Sequence, residues 1–268
     1  MANISVAVHG ALGKMGRETI SAVYKDAELD LVGAVDVKAV ADSITLDNGQ
    51  KIPLYRDIRS MLAAVKPDVI VDFSLAAASM EMIRLAAGSG ISLVSGTTGI
   101  SPNDMEEIRH LAKANKIGII IASNFALGAV IMMHLANIAA KYFDNAEIIE
   151  LHHDEKADAP SGTALTTARG MIESRQGKPF KYPETKKETL SGTRGGQFEG
   201  IGIHSVRLPG FVASQEIIFG LQGQTLKIRH DTINRECYMP GVLMAIKEVL
   251  NKKGSVNNLD DLLQTGGK

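Results

Sequence analysis

The sequence predicts an α/β fold in two parts: a doubly wound parallel sheet in the N-terminal half, then an α+β domain with a mainly antiparallel sheet. Three observations predict it. Short β-branched apolar runs alternate with helix-periodic segments up to residue 122. Those runs lack polar alternation, as expected where helices cover both faces of a parallel sheet. Beyond residue 200 the strand-like runs follow one another closely, separated by turn residues, which implies antiparallel pairing.

In the first half, strands are expected at residues 4–8, 31–35, 69–73, 92–95 and 117–122, with helices at 16–24, 58–65, 77–87 and 104–114 between them. The most apolar stretch, 117–140, is broken by Ser123, Asn124, His134 and Asn137. It therefore fails as a membrane span of ~20 apolar residues and reads as a strand, a polar loop and a helix at 127–142. In the second half a helix is expected at 163–174, then a loop rich in Lys, Pro, Thr and Gly at 176–200. Strands follow at 201–208, 215–221 and 225–231, with turns at Pro209-Gly210 and Gly223. A last helix at 240–250 leads into a polar tail. The boundary between the halves is expected near Asn124, giving domains 1–124 and 125–239, with 240–268 packing back on the first.

Composition narrows the function classes. Of 268 residues, 45% are hydrophobic and 22% charged, an ordinary globular balance. The 29 basic and 30 acidic side chains leave a net charge of −1, so no global field draws the chain to nucleic acid or to a membrane surface. Cys237 is the only cysteine, which excludes an internal disulfide and a cysteine-based zinc site. The first residues carry neither a basic segment nor a long apolar core, so a reducing, cytoplasmic setting is expected.

The first strand runs into Gly10-Ala11-Leu12-Gly13-Lys14-Met15-Gly16 and then a helix. Glycines at a strand-to-helix turn let the backbone N–H groups of the helix start meet a pyrophosphate with no Cβ in the way, the mark of a Rossmann-type dinucleotide site. The spacing is one residue off the usual fingerprint. Asp36 supports the reading: it ends the second strand, where an acidic side chain accepts hydrogen bonds from the adenosine ribose. That charge favours NADH over NADPH, and Lys38 offsets part of the repulsion of a 2′-phosphate, so both nucleotides remain candidates. Gly96-Thr97-Thr98-Gly99 follows the fourth strand and Ala122-Ser123-Asn124-Phe125 the fifth. Both lie at carboxyl ends of strands, where doubly wound sheets bind ligands, and their small hydroxyl residues suit a nicotinamide and its ribose.

The densest chemistry is Glu150-Leu151-His152-His153-Asp154-Glu155-Lys156, followed by Ala157-Asp158-Ala159-Pro160-Ser161-Gly162-Thr163-Ala164. Two histidines and a lysine stand before a helix start whose free N–H groups and hydroxyls can grip a carboxylate. Proton-transfer groups beside an anion pocket are the reading this supports. Adjacent side chains of an extended segment point to opposite faces, so His152, His153, Asp154 and Glu155 do not converge on one ion, and no metal is expected.

That run resembles the signature of the 4-hydroxy-tetrahydrodipicolinate reductase (dihydrodipicolinate reductase) family. The resemblance extends through the glycine turn, Val71-Asp72-Phe73-Ser74, Gly-Thr-Thr-Gly, Ser123-Asn124-Phe125 and Arg229-His230-Asp231 with Asn234-Arg235. It implies NADH- or NADPH-dependent reduction of a cyclic dicarboxylate in lysine and diaminopimelate biosynthesis. It also implies His152 as proton donor/acceptor, Lys156 as second donor, and substrate contacts at His153, Ser161, Gly162 and Thr163. Cofactor contacts fall on Gly10, Ala11, Leu12, Gly13, Lys14, Met15, Asp36, Gly96, Thr97, Thr98, Ala122, Ser123, Asn124 and Phe125. Leu75 stands where some members carry a basic residue near the cofactor, and Ala213-Ser214-Gln215 replaces a Gly-Glu-His of many members within a run that resembles another branch. A homotetramer joined through the second domain is implied, and the strands at 201–208, 215–221 and 225–231 would otherwise leave an open edge or an apolar face. Another two-domain amino-acid dehydrogenase and a dinucleotide-binding sensor without catalysis remain the alternatives.

Overall fold

The computed structural model describes residues 2–265. The chain divides into two units, one formed by 1–127 with 235–268 and the other by 128–234.

The first unit is built on an eight-stranded sheet. Its elements are β1 (Ile4–His9), α1 (Lys14–Lys25), β2 (Leu29–Val35), β3 (Ser43–Thr45), β4 (Lys51–Tyr55), α2 (Ile58–Ala64), β5 (Val69–Asp72), α3 (Ala76–Gly88), β6 (Ser92–Ser95), α4 (Pro102–Asn115) and β7 (Gly118–Ile121). The strand order is β13-β7-β6-β5-β1-β2-β4-β3, and every pair is parallel except β3–β4. From β1 the chain goes to β2 on one side, and β5 lies on the other. That reversal opens the ligand crevice of a doubly wound sheet. Ile58, Met61, Met82, Ile83 and Ile108 from α2, α3 and α4 bury one face against Ala7, Ile70, Leu93 and Ile119. Helix α1 and the late helix α7 (Met239–Val249) pack against strands of the same sheet and against each other, burying Ile20, Val23, Val242 and Ile246. The uninterrupted apolar strands follow from this double coverage.

Two parts of this unit differ from expectation. The β3–β4 hairpin was not expected, because its strands are short, half exposed and interrupted by Pro53, a residue tolerated at the rim of a sheet. The tail after the last helix is not simply polar. Gly254–Val256 form β13, which pairs in parallel with β7, and α8 (Asp260–Thr265) follows. Nothing in three residues after a lysine pair signals a strand; the open edge of β7 recruits them.

The second unit contains α5 (Leu127–Ala140), β8 (Asn145–His152), α6 (Gly162–Ser174), β9 (Gly196–Phe198), β10 (Ile201–Arg207), β11 (Ala213–Leu221) and β12 (Gln224–Thr232). The strand order is β12-β11-β8-β10-β9. Pairing is antiparallel as expected, except that β8 and β10 are parallel. The reason is topological: α6 carries the chain back between them, and a crossover of that length returns a strand in the same direction. Met132 and Ala136 of α5 and Ala168 and Met171 of α6 close a core with Ile148, Ile203, Ile217 and Phe219 on one face of the sheet. The other face carries the half-buried Ile149, Leu151, Val206 and Ile218 among Glu147, His204 and Glu216. Among the described residues no helix is long and apolar enough to cross a membrane.

Candidate functional site

In the first unit the strand ends gather the residues expected to hold a nucleotide. Gly10 has φ +76°, and a Cβ there would stand 2.6 Å from the Phe73 carbonyl oxygen. A Cβ on Gly16 would stand 2.1 Å from the Gly10 oxygen, so the turn and the first turn of α1 lie in direct contact. The N-cap of α1 is Gly13, which offers no side-chain acceptor, and the first turn holds no acidic residue. Its N–H groups are therefore left for an external acceptor, the donor set a pyrophosphate needs. Leu12 and Lys38 donate backbone N–H groups to the two oxygens of Asp36 at 2.8 and 2.9 Å. The carboxylate thus fixes the glycine turn and keeps one further lone pair on each oxygen for ribose hydroxyls.

The loops after β6 and β7 stand on the same edge. A Cβ on Gly96 would meet the Phe73 ring at 2.2 Å, and Phe73 in turn meets Phe125 edge to face with centroids 5.9 Å apart. Thr98 and Ser123 are exposed, Ala122 is buried, and the Asn124 side chain accepts the Ala126 N–H at 2.9 Å. Thr97 is buried instead, and its hydroxyl lies 2.8 Å from Asp72 and 3.1 Å from the Ser74 carbonyl. Its side chain therefore anchors the loop from inside. Asp72, a member of the Val71–Ser74 run, accepts besides from His9, Ser74, Ser79 and Ser95.

In the second unit the polar run condenses around Glu150. Period-2 alternation along β8 puts Glu150 and His152 on one face, and their side chains meet at 2.5 Å between Oε2 and Nδ1. The parallel register of β10 brings Arg207 alongside, where Nη1 donates to Oε2 at 2.9 Å and Nη2 to Oε1 at 2.7 Å. The Ser161 N–H donates to Oε1 at 3.2 Å. Burial opposes the charge on Glu150, but bonds from Arg207, Ser205 and His152 outweigh it and hold the carboxyl below its ordinary range. For His152, burial outweighs the support of Glu150; with Lys156 and Arg207 nearby, the imidazole lies below its ordinary value.

The segment after β8 folds back over this cluster. Arg207 Nη2 also donates to the Asp158 carbonyl at 2.7 Å, Lys156 pairs with the Asp158 carboxylate at 2.6 Å, and the Ala159–Pro160 bond is cis. Ser161 is buried and caps α6 by accepting the Ala164 N–H at 3.2 Å, so its hydroxyl shapes the helix start. Gly162 is exposed with open space at its Cβ position, and Thr163 is half exposed. His153 is exposed. The Gly162 and Thr163 N–H groups, which the Ser161 cap leaves open, can hold a carboxylate, and a histidine and a lysine of the same segment can deliver a proton.

Comparison with known proteins shows the family of the whole chain. The family description "Dihydrodipicolinate reductase, N-terminus" matches residues 4–125 and "Dihydrodipicolinate reductase, C-terminus" matches 128–263. The chain belongs to the dihydrodipicolinate reductase family. A 4-hydroxy-tetrahydrodipicolinate reductase of Dehalococcoides mccartyi is 54% identical over 265 residues, 98% of this chain and 100% of that protein. One of Moorella thermoacetica is 47% identical over 267 residues, 98% of this chain and 99% of that one. The dipicolinate-bound dihydrodipicolinate reductase of Paenisporosarcina sp. TG-14 shares the fold with a TM-score of 0.87 at 40% identity, covering 97% and 99% of the two chains.

Arg207 is the polar residue of this cluster that the sequence did not single out, while Glu150 and Asp72 stood within quoted runs without a role of their own. Glu150 had a signal, its place two residues before His152 on a strand. Arg207 had none, because only the register of β8 with β10 brings it near.

Proposed function

We propose that this chain reduces dihydrodipicolinate, formed from 4-hydroxy-tetrahydrodipicolinate by loss of water, to tetrahydrodipicolinate in lysine and diaminopimelate biosynthesis. The carrying observation is the Glu150–His152 pair beside the open start of α6, in a chain matched end to end by reductases of that name. NADH or NADPH, bound at the glycine turn, supplies the hydride.

The chain's own residues do the rest. The N–H groups of Gly162 and Thr163 and the Thr163 hydroxyl bind one carboxylate of the substrate, and His153 adds a donor. His152 supplies the proton that accompanies hydride addition to the unsaturated ring, and Lys156 serves as second donor and as a positive charge beside the dianion. Gly10 to Met15, Asp36, Gly96 to Thr98 and Ala122 to Phe125 carry the nucleotide. Ser161 contributes through the cap. The half-buried sheet face around Ile149 and Ile218 supports assembly into a homotetramer, and the single cysteine suits the reducing cytoplasm.

Oxidation of NADH and NADPH, followed by absorbance with the condensation product of the preceding synthase as substrate, tests the reading. His152→Ala and Lys156→Ala should lower kcat by ~10²–10⁴-fold, the contribution of a placed proton donor. Thr163→Val should act mainly on KM. A chain that binds nucleotide but turns over no substrate would be a sensor.

A further inference from the structure

We propose that Glu150, gripped by Arg207, is a positioning residue that fixes His152 with the hydrogen on Nδ1 and leaves Nε2 to exchange the proton with substrate. This rests on the reading that His152 moves a proton.

The contact of His152 Nδ1 with a buried, acceptor-only carboxylate carries the inference. The Glu150 side chain has no exposed surface. Its two oxygens take two N–H groups from Arg207, one from the Ser161 backbone and one contact from His152 Nδ1, at 2.5 to 3.2 Å, besides a side-chain bond from Ser205. An ionised carboxylate accepts and carries no hydrogen, so in this contact Nδ1 has to be the donor. The neutral ring is then the Nδ1–H tautomer, and the cationic ring differs from it only at Nε2. A ring free to choose its tautomer would present a lone pair or a hydrogen at random, and a proton donor held in one tautomer does not.

Arg207 extends this order to the anion site. The guanidinium that holds both Glu150 oxygens also holds the Asp158 carbonyl, which lies between Lys156 and the Ser161 cap. The charged groups facing His152 are Glu150 on its own strand, Arg207 on β10 and Lys156 on the following segment, the last paired with Asp158. Only Glu150 among the three favours the imidazolium.

Glu150→Gln separates positioning from packing. The amide keeps the shape but presents one NH₂ and one oxygen, so either Arg207 or His152 faces a donor. Two readouts apply. Long-range ¹H–¹⁵N spectra, with the His152 signals assigned through His152→Asn, report the tautomer without any turnover. The wild type should show neutral His152 as Nδ1–H, and finding Nε2–H there overturns the proposal whatever the variant does.

The second readout is kcat against pH. The acid form is lost as pH rises through the His152 value, and removing the Glu150 charge should move that limb to lower pH by about 1 unit or more. At neutral pH kcat should fall on the order of 10- to 10³-fold, with nucleotide KM unchanged. Glu150→Asp, which keeps the charge, should keep the limb closer to the wild type. An unmoved limb in a folded Glu150→Gln variant overturns the proposal. Absence of wild-type turnover would instead remove the catalytic reading, recognisably so, because the tautomer is read independently.

Discussion

His9 Nδ1 stands 2.8 Å from Asp72 Oδ1 across the adjacent ends of β1 and β5, both side chains inside the protein. His9 immediately precedes Gly10, and Asp72 also accepts from Ser95 at the end of β6 and from Thr97 just beyond it. One carboxylate therefore ties together the two strand ends flanking the crevice and the loop after the next strand. Burial pushes the Asp72 carboxyl up, but His9, Ser74 and Ser79 outweigh it and bring the pKa down to about 2 from 3.8.

Acid should undo this arrangement in a defined window. A depressed carboxyl pKa stabilises the fold fully above its unfolded value, and that stability is lost as pH falls from about 4 through 2. The contribution is roughly 2 kcal/mol, from a shift near two units. Denaturant melts at pH 7, 4 and 3 should show a steeper loss for the wild type than for Asp72→Asn. Asp72→Asn should itself be less stable at pH 7 by ~1–3 kcal/mol, because donors aimed at the carboxylate lose their acceptor. Parallel pH slopes for the two proteins would contradict the account.

Gly10→Ala and Gly16→Ala should weaken nucleotide binding far more than they affect the second unit. At Gly10 both the positive φ and the Phe73 carbonyl oppose a Cβ, and at Gly16 the obstacle is the Gly10 carbonyl itself. The backbone has to shift, moving the N–H groups that meet the pyrophosphate. Titration of NADH fluorescence measures this directly. Wild-type affinity in both variants would remove the glycine turn from the site.

Asp36 should make NADH the better or an equal cofactor, with Lys38 assisting NADPH. Asp36→Ala should lower kcat/KM for NADH more than for NADPH, since it removes ribose acceptors and a charge that repels a 2′-phosphate. It also frees the Leu12 and Lys38 N–H groups, so both values should fall somewhat. A wild-type preference for NADPH of about a hundredfold or more would contradict a charge argument of this kind.

Ser161→Ala should cost ~1 kcal/mol through loss of the helix cap. The same change should weaken binding of dipicolinate, because the start of α6 frays where the carboxylate binds. Thermal melts give the first number and calorimetric titration the second. An unchanged affinity would place the carboxylate elsewhere.

Light scattering should give a tetramer in solution. Lys227→Glu on β12 should disturb it if the sheet face is shared between copies, since Lys227 pairs with Glu216 on that face. A stable particle of 28.6 kDa at micromolar concentration would exclude the assembly.

The sequence by itself determined what local chemistry can write: five apolar strands of a covered sheet, a glycine turn that admits no Cβ, and His152, Lys156 and the Ser161 helix start within one short run. Such features are legible because neighbours in sequence create them. Only the tertiary structure decided what depends on partners far along the chain. It recruited Gly254–Val256 to the edge of β7, turned β10 parallel to β8, and sent the Thr97 hydroxyl inward to Asp72. It also joined Arg207 to Glu150, and through Glu150 to His152. The physical reason is the same in each case: a buried charge or an open strand edge is satisfied by whichever group the packing brings within hydrogen-bond reach, and no local pattern names that group in advance.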